Sequence, residues 1–394
     1  MKKYILFAVA AVALTAACSK QPVSTGSASS QSGFELESAV PVRFASNVGR
    51  VATKGIGALD AWVSSQDLYF FGIERLKDQT GADSLNLADP FIYNVSSHPA
   101  DTITLFNPAI GTGHEEPYYY GDGNYEFYGY FLDDAGIEGP DGERITKTDD
   151  AYVAHIEING TQDVLVGYAD RDMVVLHKGK LDPPVAVNKD RLFSAYGIRK
   201  WDAKPEMLFR HKLSRFDFRV RSGEAAAAGK VKVTGISVVS NTTADVVVAG
   251  NGIYEGLNNV STPDTLLLQV KVIDDAGTGA YHLDTLKNIT GGGILAPEYA
   301  GLDKNIDGSI LVIPGDAKYA LRMELEQPGV VEPVTKTQWL NIDFTTLASG
   351  EQMAKPGYKY NVTLVVYETK PVEIVIALAP WEEGDSFVLD PDAD

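Results

Sequence analysis

Between residues 319 and 326 the chain alternates with a period of two. Leu321, Met323 and Leu325 share one parity, and Arg322, Glu324 and Glu326 share the other. Successive side chains of a strand point to opposite faces, so this pattern fits a strand with one buried and one wet face. A helix would instead repeat its apolar residues every three or four positions. Short segments of strand character recur at 40–45, 68–72, 231–239, 266–273, 309–313, 360–368 and 372–379, divided by clusters of Gly, Pro, Asn and Asp. Helical pattern is scarce, and 224–228 suggests a single turn. The expectation is an all-β chain of antiparallel sandwiches or barrels. Its 394 residues suffice for two such domains. The boundary is placed near 200, in Gly197-Ile198-Arg199-Lys200-Trp201, giving domains 36–200 and 201–394.

The chain has one cysteine, Cys18. No disulfide can form within it, so stability must come from strand pairing and packing. Cys18 also closes a three-part N-terminal segment. Lys2 and Lys3 are basic, Tyr4 to Leu14 is apolar, and Leu14-Thr15-Ala16-Ala17-Cys18 follows. A bilayer span needs roughly 20 apolar residues, and this run is shorter. Residues 1–17 therefore read as a secretory signal, and Leu-x-small-Ala-Cys is the lipobox pattern of bacterial lipoproteins. An ordinary signal cut after Ala17 would leave Cys18 incidental, whereas lipidation explains a lone thiol at this position. Residues 18–35, rich in Ser, Gly and Gln, read as a flexible tether. A formal charge of -19 makes nucleic acid and anionic lipid poor partners.

Two interior stretches carry further pattern. Tyr118, Tyr119, Tyr120, Tyr125, Phe127, Tyr128, Tyr130 and Phe131 crowd around Gly121-Asp122-Gly123-Asn124. They predict a hairpin, whose tyrosines pack on a half-buried sheet or, alternatively, form a sugar platform. In 207–220, Met207, Phe209, His211 and Leu213 share one parity, while Phe216, Phe218 and Val220 share the other. The switch predicts one strand with a bulge and an inward, structural His211.

No catalytic constellation stands out. His98, His114, His155, His177, His211 and His282 are scattered, without a metal-ligand spacing. Neither a Gly-x-Ser-x-Gly elbow nor a phosphate loop is present. The sequence thus predicts no enzyme, no cofactor and no metal. Asp303-Lys304-Asn305-Ile306-Asp307-Gly308 matches half a calcium loop, but Pro314 stands where its glutamate belongs, so it reads as a turn. Asp-Ser/Thr-aliphatic triplets at 83–85, 101–103, 264–266 and 284–286 resemble an O-glycosylation signal of some Gram-negative bacteria.

Five stretches taken in order resemble the fimbrillin family, the lipoprotein subunits of type V pili. They are Val42-Arg43-Phe44 with Asn47 and Arg50-Val-Ala-Thr-Lys-Gly, the tyrosine-rich 118–131, Phe209-Arg-His211-Lys-Leu-Ser-Arg215-Phe-Asp-Phe, Ile310-Leu-Val-Ile-Pro314-Gly-Asp, and Pro356-Gly-Tyr-Lys-Tyr360-Asn-Val-Thr-Leu, closing with Ala379-Pro380-Trp381. The resemblance implies two sandwich domains of transthyretin-like type, and an outer-membrane lipoprotein attached through lipid at Cys18. It implies cleavage by an arginine-specific protease in the N-terminal loop, and assembly with other fimbrial subunits by strand donation. Arg50 is the expected cut, because Gly49 keeps the chain adaptable there. Arg43 is the alternative and lies inside a strand. Val40, Val42 and Phe44 would form the displaced strand, and Val372, Ile374, Ile376 and Leu378 the donor. Host or bacterial glycans or proteins are further expected partners. The alternative function is a surface lipoprotein that binds carbohydrate and does not polymerise.

Overall fold

The computed structural model describes residues 42, 68–77, 83–97, 119, 123–139, 141–169, 171, 191–201, 205, 207–259, 263–275, 280–327, 332–347, 350, 352–368 and 370–380. Among them are twenty-two strands and one seven-residue α-helix, so the chain is all-β. No helix among the described residues is long and apolar enough to cross a membrane.

In chain order the first strands are β1 (Leu68–Lys77), β2 (Asp83–Leu85), β3 (Ile92–Ser97), β4 (Asn124–Phe131), β5 (Gly136–Ile137), β6 (Ile145–Lys147), β7 (Ala151–Glu157) and β8 (Leu165–Ala169). Helix α1 (Ala195–Trp201) precedes β9 (Met207–His211), β10 (Ser214–Ser222), β11 (Lys232–Ser240), β12 (Thr243–Gly250), β13 (Asn258–Asn259) and β14 (Asp264–Leu267). The chain continues through β15 (Gln269–Asp275), β16 (Ala280–Thr285), β17 (Ile294–Leu295), β18 (Lys304–Val312), β19 (Lys318–Gln327), β20 (Val334–Asp343), β21 (Tyr358–Val366) and β22 (Glu373–Pro380).

The first sheet runs β2-β1-β4-β8-β9, with β3 also on β1. The second runs β13-β12-β7-β5, with β6 also on β7. Phe71 of β1 stacks on Tyr152 of β7 at 4.8 Å, so these two sheets meet face to face. The other face of the first sheet is buried as well. Phe70, Phe127 and Phe209 there join Phe193, Tyr119 and Val42 in a separate apolar cluster.

The third sheet runs β18-β10-β21-β22, and the fourth β14-β11-β19-β20. In the third, β10 and β21 are parallel, and the other pairs are antiparallel. Phe216, Tyr319 and Tyr360 are fully buried, with Phe216 5.2 Å from Tyr319 and 6.0 Å from Tyr360. These rings bind the third sheet to the fourth. Each large apolar side chain so buried contributes about 1.5–3 kcal/mol relative to exposure.

Strand pairing corrects one expectation. The 207–220 stretch is two strands, not one bulged strand. β9 pairs with β8, while β10 pairs with β18 and β21. The parity switch marks a change of sheet, and Lys212 makes the corner by burying its ammonium against the carbonyls of Ile253 and Glu255, at 2.6 and 2.8 Å. Desolvation pulls its pKa down to about 8. Of the hairpin expected around Gly121–Asn124, residues 118 and 120–122 lie outside the described residues, and only its second arm, β4, is described. β4 lies between β1 and β8, and past the end of β8 the Tyr125 N–H donates to the Phe193 carbonyl at 3.0 Å. Tyr119, Tyr125, Tyr128 and Tyr130 are all buried, so they pack and offer no sugar platform.

The stretch 197–201 lies in α1. Beyond it, β9 pairs with β8 and β12 pairs with β7, so two later strands complete the earlier sheets. His211 does face inward. Its Nδ1 lies 3.0 Å from Asp163 Oδ1, and both residues are buried.

Candidate strand-exchange site

β22 is the last strand described and forms one edge of the third sheet. It pairs antiparallel with β21 from Val365↔Glu373 to Tyr358↔Pro380. β10 occupies the opposite edge of β21, so removing β22 would uncover a strand whose Val362, Leu364 and Val366 are fully buried. Among the described residues no strand pairs with the outer edge of β22. An edge of this kind presents open N–H and C=O groups to a further strand.

The residues expected to form a donor strand differ in burial along this segment. Val372 is buried, and Ile374 and Ile376 pack against the main core from partly buried positions. Leu378 is 36% exposed, so the apolar face weakens toward the C-terminal end. Glu373, Val375 and Ala377 point the other way and are exposed. The alternation that suggested a donor strand therefore matches real burial over 372–376.

Of the residues expected to form a displaced strand, Val42 is 1% exposed and lies in the cluster of Leu68, Phe70, Phe127 and Phe193. Val40, Phe44, Arg43, Arg50 and Cys18 lie outside the described residues.

A neighbour that sequence reading missed completes the site. β20 is the exposed edge of the fourth sheet and lies beside β22 across the sandwich. Its Gln338 side chain accepts a hydrogen bond from the Val372 N–H at 2.9 Å. Gln327 of β19 donates to the Tyr367 carbonyl at 3.0 Å. These bonds hold the segment entering β22. The signal for β20 was weak because 334–337 are exposed on both faces.

The calcium-like stretch is not a turn. Lys304 to Gly308 belongs to β18, with Ile306 buried and Asn305 and Asp307 exposed. Asp303 accepts hydrogen bonds from Arg221 Nε and Nη2, at 2.6 and 2.7 Å. Among the described residues no group of three or more His, Cys, Asp or Glu gathers as a metal site would. Asp83, Asp264 and Asp284 of the Asp-Ser/Thr triplets lie on β2, β14 and β16, and residues 101–103 lie outside the described residues.

The fold and the site together define an all-β chain with an apolar, one-sided C-terminal edge strand. No family model matches the chain, and no curated protein matches it. Among solved structures it is similar to a candidate cell adhesion protein of Bacteroides uniformis, at TM-score 0.46 and 13% identity, covering 88% of this chain and 100% of that one. A candidate cell adhesion protein of Bacteroides ovatus gives TM-score 0.47 and 14% identity, covering 87% and 98%. The tip fimbrial protein Mfa3 of Porphyromonas gingivalis gives TM-score 0.36 and 9% identity, covering 87% and 98%. Overlap this loose carries no argument about this chain's function.

Proposed function

We propose that the chain is a structural and adhesive subunit of a bacterial type V fimbria, exported as an outer-membrane lipoprotein through Cys18 and displayed at the cell surface. It comprises two sandwich domains, near 36–200 and 201–394, with β9 and β12 reaching back into the first. Cleavage at Arg50, with Arg43 as the alternative, releases the strand carrying Val40, Val42 and Phe44. A neighbouring subunit then donates the strand carrying Val372, Ile374, Ile376 and Leu378.

The observation that carries this reading is the pairing of β22. It is an apolar, alternating strand held on one side only. Such a strand can leave its sheet without breaking a second ladder. Val42 adds support from the other end of the chain, because its burial means that losing its segment would open an apolar gap. A gap of that kind is costly until another strand fills it. The chain's role is mechanical, and no catalysis is assigned.

The test is Arg50→Ala in the producing cell, followed by electrophoresis of unboiled samples. Loss of high-mass polymers with retained monomer is expected. Polymers of undiminished amount and length contradict the reading. A second reading, a carbohydrate-binding surface lipoprotein that does not polymerise, draws on one observation, an open recess beside β10 lined partly by tyrosine and arginine.

A further inference from the structure

The outward face of the third sheet carries a recess of about 760 Å³. Arg219 and Arg221 of β10, Asn305 of β18 and Asp303 form its polar lining, and Tyr299 and Tyr367 its aromatic lining. Arg221 and Asp303 form a bidentate pair at 2.6 and 2.7 Å, a planar fork already set in place. That pair neutralises itself. Arg219 has a neutral hydrogen-bond partner, the Asn361 side-chain oxygen, at 3.3 Å. The lining named here therefore carries one net positive charge, in a chain whose formal charge is -19.

Two further features mark the recess as shaped. Ala300, at its rim, has φ +61°, in the left-handed region that costs a non-glycine residue about 1 kcal/mol or more. Its neighbours Tyr299 and Leu302 are 55% and 92% exposed, so the strained loop holds apolar groups in water. Tyr367 is seated by Gly223, where any Cβ would lie 2.3 Å from the ring.

From this geometry we infer that the recess is a binding site for an acidic saccharide. Tyr299 supplies a flat apolar surface for the carbon face of a sugar ring. Asp303 and Asn305 accept and donate bonds to its hydroxyls. Arg219 takes the sugar carboxylate, exchanging a neutral acceptor for a charged one. The residues that would touch the saccharide, Arg219 on β10, Tyr299 and Asp303 before β18, and Asn305 on β18, belong neither to β22 nor to its pairing partner β21, although Tyr367 at the edge of the recess also bonds Glu373 of β22. A chain that fails to polymerise would keep this site, so the two ideas fail separately.

The test is calorimetric titration of the full chain with an oligosaccharide of alternating glucuronic acid and N-acetylglucosamine. The control ligand is the same oligosaccharide with its carboxylates reduced to hydroxymethyl groups. Arg219→Gln and Tyr299→Ala are the variants, and unchanged near-ultraviolet circular dichroism confirms their fold. Tyr299→Ala guards against misfolding at Arg219, since Tyr299 is more than half exposed. The acidic ligand should bind, and carboxyl reduction or either variant should weaken it by about tenfold, or about 1.4 kcal/mol. Equal affinity for acidic and reduced ligands overturns the inference. So does parent-like affinity in both variants, or no binding of the acidic ligand at millimolar concentration.

Discussion

The backbone N–H of Val372 donates to the side-chain oxygen of Gln338 at 2.9 Å. The bond crosses from the segment leading into β22 to the edge strand of the facing sheet. It is one side-chain tie at the root of a strand whose backbone ladder runs on one side. Gln338→Ala should cost about 1 kcal/mol locally, which speeds opening about fivefold. Hydrogen exchange of the amides of 373–378 should quicken by that factor, while those of the central strand β10 stay unchanged. Equal acceleration in both strands would mean that the bond supports the whole fold and not the edge.

Burial grades sharply across the β21–β22 pair. Leu364 is fully buried, whereas Leu378 is 36% exposed. Leu364→Ala should lower stability by about 2–5 kcal/mol and Leu378→Ala by less than about 1 kcal/mol. Urea denaturation of the two variants measures the difference. Similar losses would show that the C-terminal part of β22 is packed as firmly as the sheet interior.

Burial, with Asp163 and Asp134 nearby, pushes the Asp133 pKa up to about 6 from an ordinary 3.8. The folded chain then holds this proton more tightly than the unfolded chain. Ionised Asp133 therefore lowers stability, an effect absent below about pH 4, growing as pH rises to about 6, and constant above. Asp133→Asn removes the charge and suits the site, where φ is +44°, because Asn tolerates the left-handed region. It should match the parent at pH 3.5 and exceed it by up to about 2 kcal/mol at pH 8. Thermal unfolding at both values checks this, and a gain of equal size at pH 3.5 would assign it to something other than charge.

Asp163 and His211 bury a polar pair between β8 and β9, with Nδ1 and Oδ1 3.0 Å apart. Asp163→Ala strands a buried imidazole and should cost about 3–5 kcal/mol. The double variant Asp163→Ala/His211→Leu should recover part of that loss. Additive losses in a double-mutant cycle would show that the two residues do not act as a pair.

Where one face is buried and the other wet, the strands could be read directly. Leu321, Met323 and Leu325 are fully buried on β19, and Arg322, Glu324 and Glu326 are partly exposed, as their alternation implied. Reading failed where a strand obeys a different rule. In β20 exposure on both faces at 334–337 erases the alternation. In β12 the run Val246-Val247-Val248 lacks a polar partner parity. At 207–220 a parity switch records a change of sheet, which local sequence cannot distinguish from a bulge. The strand at 373–380 was legible because its alternation is local. Its latch at Gln338 and the recess joining Arg219 to Tyr299 were not, because each unites residues far apart in the chain.

The measurement that tests strand exchange most directly is a reversible lock on β22. Thr363 and Val375 are register partners across β21 and β22, and the parent chain has no thiol beyond Cys18. Directly opposed antiparallel residues lie roughly 4.5–5.5 Å apart at Cα, within disulfide reach. Thr363→Cys with Val375→Cys should yield monomers under oxidising conditions and polymers after reduction, read on unboiled gels. Polymers of full length in the oxidised, fully cross-linked chain would show that β22 never leaves its own sheet, and would contradict the account.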